Sequence, residues 1–235
     1  MKYQGGKTRL APRIAQAILE YGAGRELYLE PFLGSAAVLA RVAPNIGRAV
    51  VSDSADDLML MWNAARNGWV PPTALSRVEY EDLRRQSHAS ALRGFAGYAC
   101  SYAGKWFGGY ATGHPGEDFA RAGSRSVVAR SVALRSVDLY LADYREMSDI
   151  ATAQAVVYAD PPYAGTTGYG ATGAFDSRAF WDEAAVWRAQ GAVVLVSERT
   201  APAGWHEVWR LERQNATHRL NQGTIPEALF LGMPT

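Results

Sequence analysis

The chain has 235 residues, 48% of them apolar, with 24 Lys and Arg against 23 Asp and Glu for a formal net charge of +1. That length suits one globular domain with a full core and room for a small inserted module, but not a second catalytic domain. The near-zero charge argues against a generic nucleic-acid binder, the single Cys100 excludes an internal disulfide, and no Cys/His cluster has metal-ligand spacing. Without an apolar run near 18 residues or a basic-then-apolar leader, a cytoplasmic protein lacking a membrane span or secretory signal is expected.

The opening Lys2-Tyr3-Gln4-Gly5-Gly6-Lys7-Thr8 precedes a stretch in which Leu10, Ile14, Ile18 and Tyr21 fall at helical spacing, so a glycine loop feeds a helix. It is not a phosphate loop, which needs an earlier glycine where Met1 stands and a strand ahead of it. Residues Leu27 to Phe32 read as a short buried strand. Glu30-Pro31-Phe32-Leu33-Gly34-Ser35 then turns into an Ala/Val/Leu helix ending near Arg41, which is the strand, glycine turn and helix of a nucleotide-binding half-unit. The next strand, Ala49 to Asp53, ends in an acid about 20 residues after the glycine loop, where a carboxylate accepts hydrogen bonds from ribose hydroxyls. The competing reading makes Asp53 only a cap for a helix over Asp56 to Arg66.

From Val70 the texture changes. Pro71-Pro72 breaks the chain, Ser76 to Glu79 has capping-box spacing, and helical patterns alternate with glycine-rich polar stretches up to Arg135. Residues 84–135 hold eight basic residues against Glu117 and Asp118, a net +6 beside −5 for the remainder. A local basic module, with Arg84 and Arg85 at its start, can bind phosphate on one face. Its centre is Ser101-Tyr102-Ala103-Gly104-Lys105-Trp106-Phe107-Gly108-Gly109-Tyr110. There the rings of Tyr102, Trp106 and Tyr110 interleave with Lys105 and with glycines that let a loop approach stacked bases. The competing reading is an aromatic mini-core around Trp106 and Phe107. Only three of the 24 basic residues are lysines, and Lys2, Lys7 and Lys105 all fall in candidate functional segments.

Val137 to Leu141 is strand-like, with Asp143 just beyond its end. The strand-length run Val156-Val157-Tyr158-Ala159 stops on Asp160-Pro161-Pro162-Tyr163. Two prolines cannot continue a ladder, and they push the preceding residue to an extended conformation. The strand end therefore presents a carboxylate, an unpaired carbonyl and an aromatic ring where ligands of open α/β sheets bind. A planar amine suits this equipment: Asp160 and the Pro161 carbonyl each accept one of its protons while Tyr163 stacks on the attached ring. The competing reading is a solvated Asp-Pro turn with a surface tyrosine. The glycine-rich Ala164 to Gly173 suits a lid. Asp176 can cap a helix whose Phe180, Trp181, Ala184 and Trp187 form a core face. Ala192 to Val196 is a buried strand, and Trp205 to Leu211 with Ile225 to Leu231 read as paired edge strands, completing seven.

Asp160 to Tyr163 resembles the catalytic motif of amino-group DNA methyltransferases, and the whole motif order resembles the Dam-like family of DNA adenine methylases. The resemblance implies an α/β fold: a Rossmann-like seven-stranded sheet over residues 1–69 and 136–235, with a mainly helical DNA-recognition insert over 70–135. It implies S-adenosylmethionine as cofactor, held by Tyr3, Lys7, Pro31, Phe32, Gly34, Ser35, Asp53, Asp143 and Asp160, with Lys7 neutralising the methionine carboxylate. Asp160, Pro161 and Tyr163 would act on the 6-amino group of a flipped adenine. Lys2, Arg84, Arg85, Tyr102, Lys105, Trp106 and Tyr110 would meet double-stranded DNA. No metal or membrane is involved, and the protein is expected to be a monomer or weak dimer. The sequence departs from the family pattern at Ala36, where a second glycine is usual, and at Ala103, where asparagine often stands. The alternatives are amino-group methylation of cytosine or RNA, and a non-catalytic DNA-binding protein that keeps the fold. Protein-glutamine methylation is disfavoured, because those enzymes resemble Asn-Pro-Pro-Tyr instead.

Overall fold

The computed structural model describes residues 1–112, 118–163, 175–214 and 224–235. In chain order its elements are α1 (Ala11–Tyr21), β1 (Leu27–Glu30), α2 (Leu39–Val42), β2 (Arg48–Asp53), α3 (Asp56–Arg66), α4 (Arg77–Arg85), α5 (Ala91–Ala99), α6 (Phe119–Ser131), β3 (Asp138–Leu141), β4 (Ala155–Ala159), α7 (Ser177–Ala189), β5 (Val193–Glu198), β6 (His206–Gln214) and β7 (Thr224–Gly232). The strands form one seven-stranded sheet ordered β3-β2-β1-β4-β5-β7-β6. Pairing is parallel from β3 through β5, and β7 runs antiparallel to both β5 and β6.

The central strands are apolar throughout because both sheet faces are covered. Alternate residues serve different cores. Tyr28, Val156, Tyr158, Val193 and Leu195 join the core shared with α1 and α3, while Leu29, Val157, Ala159, Val194 and Val196 join the one shared with α7, around Phe180 and Trp187. β1 and β4 are neighbours, yet the chain leaves β1 for β2 on one side and β4 for β5 on the other. Strand order reverses there, and the carboxyl ends of such a pair open a crevice.

Two local features differ from the sequence-based expectation or extend it. The helix after the glycine turn is only Leu39–Val42, because Ala36 takes a left-handed φ of 54° and Pro44 follows. Within the 70–135 segment, Tyr80, Leu83, Phe95, Tyr98 and Val127 pack in the same cluster as Ile14, Trp62 and Tyr28. Its α4 has the expected capping box, with Ser76 Oγ accepting from Glu79 N at 3.2 Å and Glu79 Oε2 accepting from Ser76 N at 2.7 Å. α5 lies so close to α3 that a Cβ on Gly94 would sit 2.1 Å from the Asp57 carbonyl oxygen. Asp57 also accepts from Ser90 N at 2.8 Å and pairs with Arg93. Among the described residues no helix is long and apolar enough to cross a membrane, and no acid, His or Cys group could hold a metal.

Candidate active site at the ends of β1 and β4

β1 ends in Glu30, β2 in Asp53, and Asp160 follows the last residue of β4, so parallel pairing brings three acids of distant sequence to one edge. A cavity runs along that edge. All nine residues expected to hold a cofactor border it: Tyr3, Lys7, Pro31, Phe32, Gly34, Ser35, Asp53, Asp143 and Asp160. Pro162 borders it too, while Tyr163 stands beside it, over the Lys7 ammonium.

The glycine turn is held from three sides. Gly34 has φ +47°, its amide donates to Asp53 Oδ2 at 2.9 Å, and its carbonyl accepts from Trp62 Nε1 at 2.9 Å. A Cβ on Gly34 would lie 3.0 Å from the Tyr3 ring, so glycine lets the two loops pack without displacing it. Asp53 Oδ1 accepts from Ala55 N at 3.1 Å, which ties the strand end to the start of α3 while the carboxylate still faces the cavity. Burial raises the Asp53 pKa against the backbone hydrogen bonds that lower it. Asp143 borders the cavity but also caps the turn after β3, accepting from Arg145 N at 3.1 Å. The Phe32 ring stacks on Tyr144 at 5.4 Å and meets Phe180 edge-on at 5.6 Å, so one wall is aromatic.

The ionic centre is Lys7. Its Nζ lies 2.7 Å from Asp160 Oδ1 and 3.1 Å from Glu227 Oε1, donates to Gly5 O at 3.0 Å, and sits 4.8 Å from the centre of the Tyr163 ring. The ammonium expected to neutralise a cofactor carboxylate is thus held between two protein carboxylates, while still bordering the cavity. Burial works to lower the Lys7 pKa, but Asp160 and Glu227 outweigh it and raise it. Burial pushes Asp160 up to about 6 against the pull of Lys7, with Glu227 and Glu198 adding to the rise. Burial also pushes Glu30 up to about 8, opposed by the Tyr28 hydroxyl, which donates to Glu30 Oε2 at 2.8 Å. At neutral pH Asp160 is mostly ionised and Glu30 mostly protonated. Tyr163 donates to Glu227 Oε1 at 2.8 Å, and Arg199 Cζ lies 5.7 Å from its ring centre.

The residues expected to meet DNA divide. Lys105 is exposed and Tyr102 is 62% exposed, while Lys2 Nζ lies 4.1 Å over the Phe119 ring. Trp106 packs 4.7 Å from Tyr98 and 4.7 Å from Phe107, with Arg93 at 5.0 Å. The Tyr110 hydroxyl donates to Leu75 O at 2.6 Å. The expectation that Arg84 and Arg85 sit among few acids is corrected. Glu81 lies 3.6 Å from Arg84 and Asp82 lies 2.5 Å from Arg85, both one helical turn earlier and just outside the basic window. The glycine-rich Ala164 to Gly173, expected to act as a lid, lies outside the described residues.

Sequence reasoning passed over Glu30, Trp62, Arg130 and Glu227. Arg130, at the end of α6, donates to Ser35 O at 2.7 Å and Thr8 Oγ1 at 2.9 Å, tying both glycine loops to one helix. Glu30 and Glu227 had a usable signal, since each is a lone acid in an otherwise apolar strand.

A mostly parallel sheet with a glycine turn at its switch point, an acid ending the next strand and Asp-Pro-Pro-Tyr following β4 is a Rossmann-like α/β arrangement. Residues 3–91 match the family model of the D12 class N6 adenine-specific DNA methyltransferases, in keeping with the Dam-like resemblance. No curated protein sequence matches the chain. Solved structures with a similar chain path include a hypothetical protein of Thermus thermophilus (14% identity, 97% of this chain and 86% of that one, TM-score 0.44). Others are a putative methyltransferase of Escherichia coli (10%, 97% and 86%, TM-score 0.42) and a putative RNA methyltransferase of Pyrococcus horikoshii (9%, 97% and 85%, TM-score 0.44).

Proposed function

We propose that the protein transfers a methyl group from S-adenosylmethionine to the 6-amino group of adenine in DNA. The observation that carries this reading is that Asp160, at the head of Asp-Pro-Pro-Tyr, borders the same cavity as the glycine turn and Asp53. An amine held by Asp160 would therefore face a cofactor held by the other two. The residues present fit that cofactor. Asp53 offers carboxylate lone pairs to ribose hydroxyls, and the Phe32 and Tyr144 rings offer faces to a purine. Tyr144 and Arg145, whose Cζ lies 4.8 Å from the Tyr144 ring centre, both border the cavity. The cofactor supplies an electrophilic methyl group on a sulfonium.

In this reading ionised Asp160 and the Pro161 carbonyl would each accept a hydrogen bond from the amine, turning the nitrogen lone pair out of conjugation. Tyr163 stacks on the base. As the nitrogen took up the methyl group the amine would give up one proton, and Asp160, on the cavity edge, would be placed to accept it. The target base must leave the duplex, since its amine is otherwise engaged in pairing. Residues 70–135 would present the DNA-facing surface, with Lys105 and Tyr102 among its exposed side chains. The family match over residues 3–91 favours adenine in DNA over cytosine or RNA.

Incubating the purified protein with labelled S-adenosylmethionine and duplex DNA, then identifying modified bases by mass spectrometry, tests the reading. N6-methyladenine is expected. Methylcytosine alone, label only in RNA, or cofactor binding without transfer to any nucleic acid would overturn it.

A further inference from the structure

Glu227 lies in β7 and is followed by Ala228-Leu229-Phe230-Leu231, yet it is only 8% exposed. A carboxylate buried in such a strand needs partners. Two of its partners belong to the proposed reaction centre: Oε1 accepts from the Tyr163 hydroxyl at 2.8 Å and lies 3.1 Å from Lys7 Nζ. β7 runs antiparallel beside β5, with Ala228 paired to Glu198, so the sheet itself carries Glu227 to the edge where Asp160 emerges. Lys7 meanwhile engages the fully buried Asp160 Oδ1, and the Asp160 side chain keeps 18% exposure.

We propose that Glu227 is a positioning residue for methyl transfer, anchoring the Tyr163 ring and sharing the Lys7 ammonium so that Asp160 keeps an acceptor for the target amine. The proposal deepens the function proposed above and rests on it. Without a second carboxylate, the ammonium would close on Asp160, neutralise it and compete with the amine for its oxygens. With Glu227 in place the ammonium is divided between two acids and stays beneath the Tyr163 ring. The same hydroxyl contact fixes the tilt of the ring on which the base would stack. A displacement of such groups by about an ångström is enough to cost a large factor in rate.

Asp160 is faced by Lys7 from the N-terminal loop, Glu227 from β7, Glu198 from β5, Glu30 from β1, and the Tyr158 and Tyr163 hydroxyls. Glu227→Gln keeps the shape and the acceptor oxygen but deletes one repulsive charge and releases Lys7 towards Asp160. Both effects move Asp160 titration to lower pH. The expected result is kcat lowered about tenfold, KM for DNA and cofactor affinity within about threefold, and the acidic limb of the kcat profile shifted to lower pH. Tyr163→Phe removes the same contact, so the double variant should lose less than the product of the two single losses. Carbon-13 NMR of labelled lysine gives a readout that needs no turnover: with three lysines, the Lys7 signal is identified by Lys7→Arg. In Glu227→Gln the Lys7 pKa should fall.

A merely structural Glu227 predicts a lower melting temperature with kcat per folded molecule, pH limb and Lys7 titration all unchanged, and that outcome would overturn the proposal. If the wild type methylates no adenine in DNA, the function reading fails separately. The Lys7 titration still decides whether Glu227 holds the ammonium, and an unchanged Lys7 pKa sinks the assignment.

Discussion

At the residue scale, the proposed reaction places activity and its pH dependence on the acids at the strand ends. Asp160→Ala should abolish methyl transfer while cofactor affinity stays within a few-fold, because the carboxylate is proposed to act on the amine. Losing one preorganised acceptor costs on the order of 3 kcal/mol in the transition state. More than about a tenth of the wild-type rate in that variant would exclude the assignment. Asp160 must be ionised, so activity should rise as pH increases through about 6. Stability runs the opposite way. Asp160 and Glu30 hold their protons more tightly folded than unfolded, so their stabilising contribution is complete below about pH 4. It is lost as pH rises through about 6 for Asp160 and about 8 for Glu30. Glu30→Gln should remove the second loss, and thermal melts across that range read it directly. Asp160 and Asp53 were legible in the sequence because each ends an apolar run and is followed by a break or a helix. Glu227 is marked only as a lone acid in an apolar strand, and its role was not legible, because Lys7 and Tyr163 meet it only once β7 has paired beside β5.

At the element scale, strands and caps follow from local chemistry, and the misread stretches are those where one backbone angle or a neighbouring turn decides. Gly34 to Arg41 is rich in helix formers, but a left-handed Ala36 delays the helix, and nothing in the side chain announces that angle. Ala103 has φ 54° as well, at a position where the resembling family often carries asparagine, a residue that tolerates this conformation. Ala103 is exposed, so Ala103→Asn should stabilise the protein by up to about 1 kcal/mol, visible as a higher melting temperature. The aromatic loop around it divides along the same lines. Trp106→Ala should cost about 1 to 3 kcal/mol of stability, since its ring packs on Tyr98 and Phe107. Tyr102→Ala should leave the melting temperature unchanged and instead blunt discrimination between cognate and altered DNA sites by about 1 to 3 kcal/mol. Methylation of single-base-altered duplexes separates the two rings.

For the whole molecule, charge is placed more sparingly than counting suggested. Arg84 and Arg85 already have acid partners one turn away, whereas Lys105 is exposed on the loop. Lys105→Ala should therefore weaken binding to all DNA sequences alike and reduce the salt slope by about one, with smaller changes for Arg84→Ala or Arg85→Ala. Titrations at several salt concentrations measure this.

The backbone of Gly104 is so close to the N-terminal loop that a Cβ would fall 2.4 Å from Tyr3 N, and its carbonyl accepts from Gln4 N at 3.0 Å. Arg130 grips the same loop and the glycine turn from α6. The surface that would meet DNA and the loop that would meet the cofactor are therefore in direct contact, and under the proposed function the two ligands are expected to act as heterotropic partners. Thermodynamic linkage then makes the effect reciprocal: the factor by which DNA would tighten cofactor binding equals the factor by which cofactor would tighten DNA binding, a coupling free energy of typically about 1 to 3 kcal/mol. Gly104→Ala should wedge the two loops apart and bring that coupling energy towards zero, which calorimetry around the four-sided binding cycle would measure.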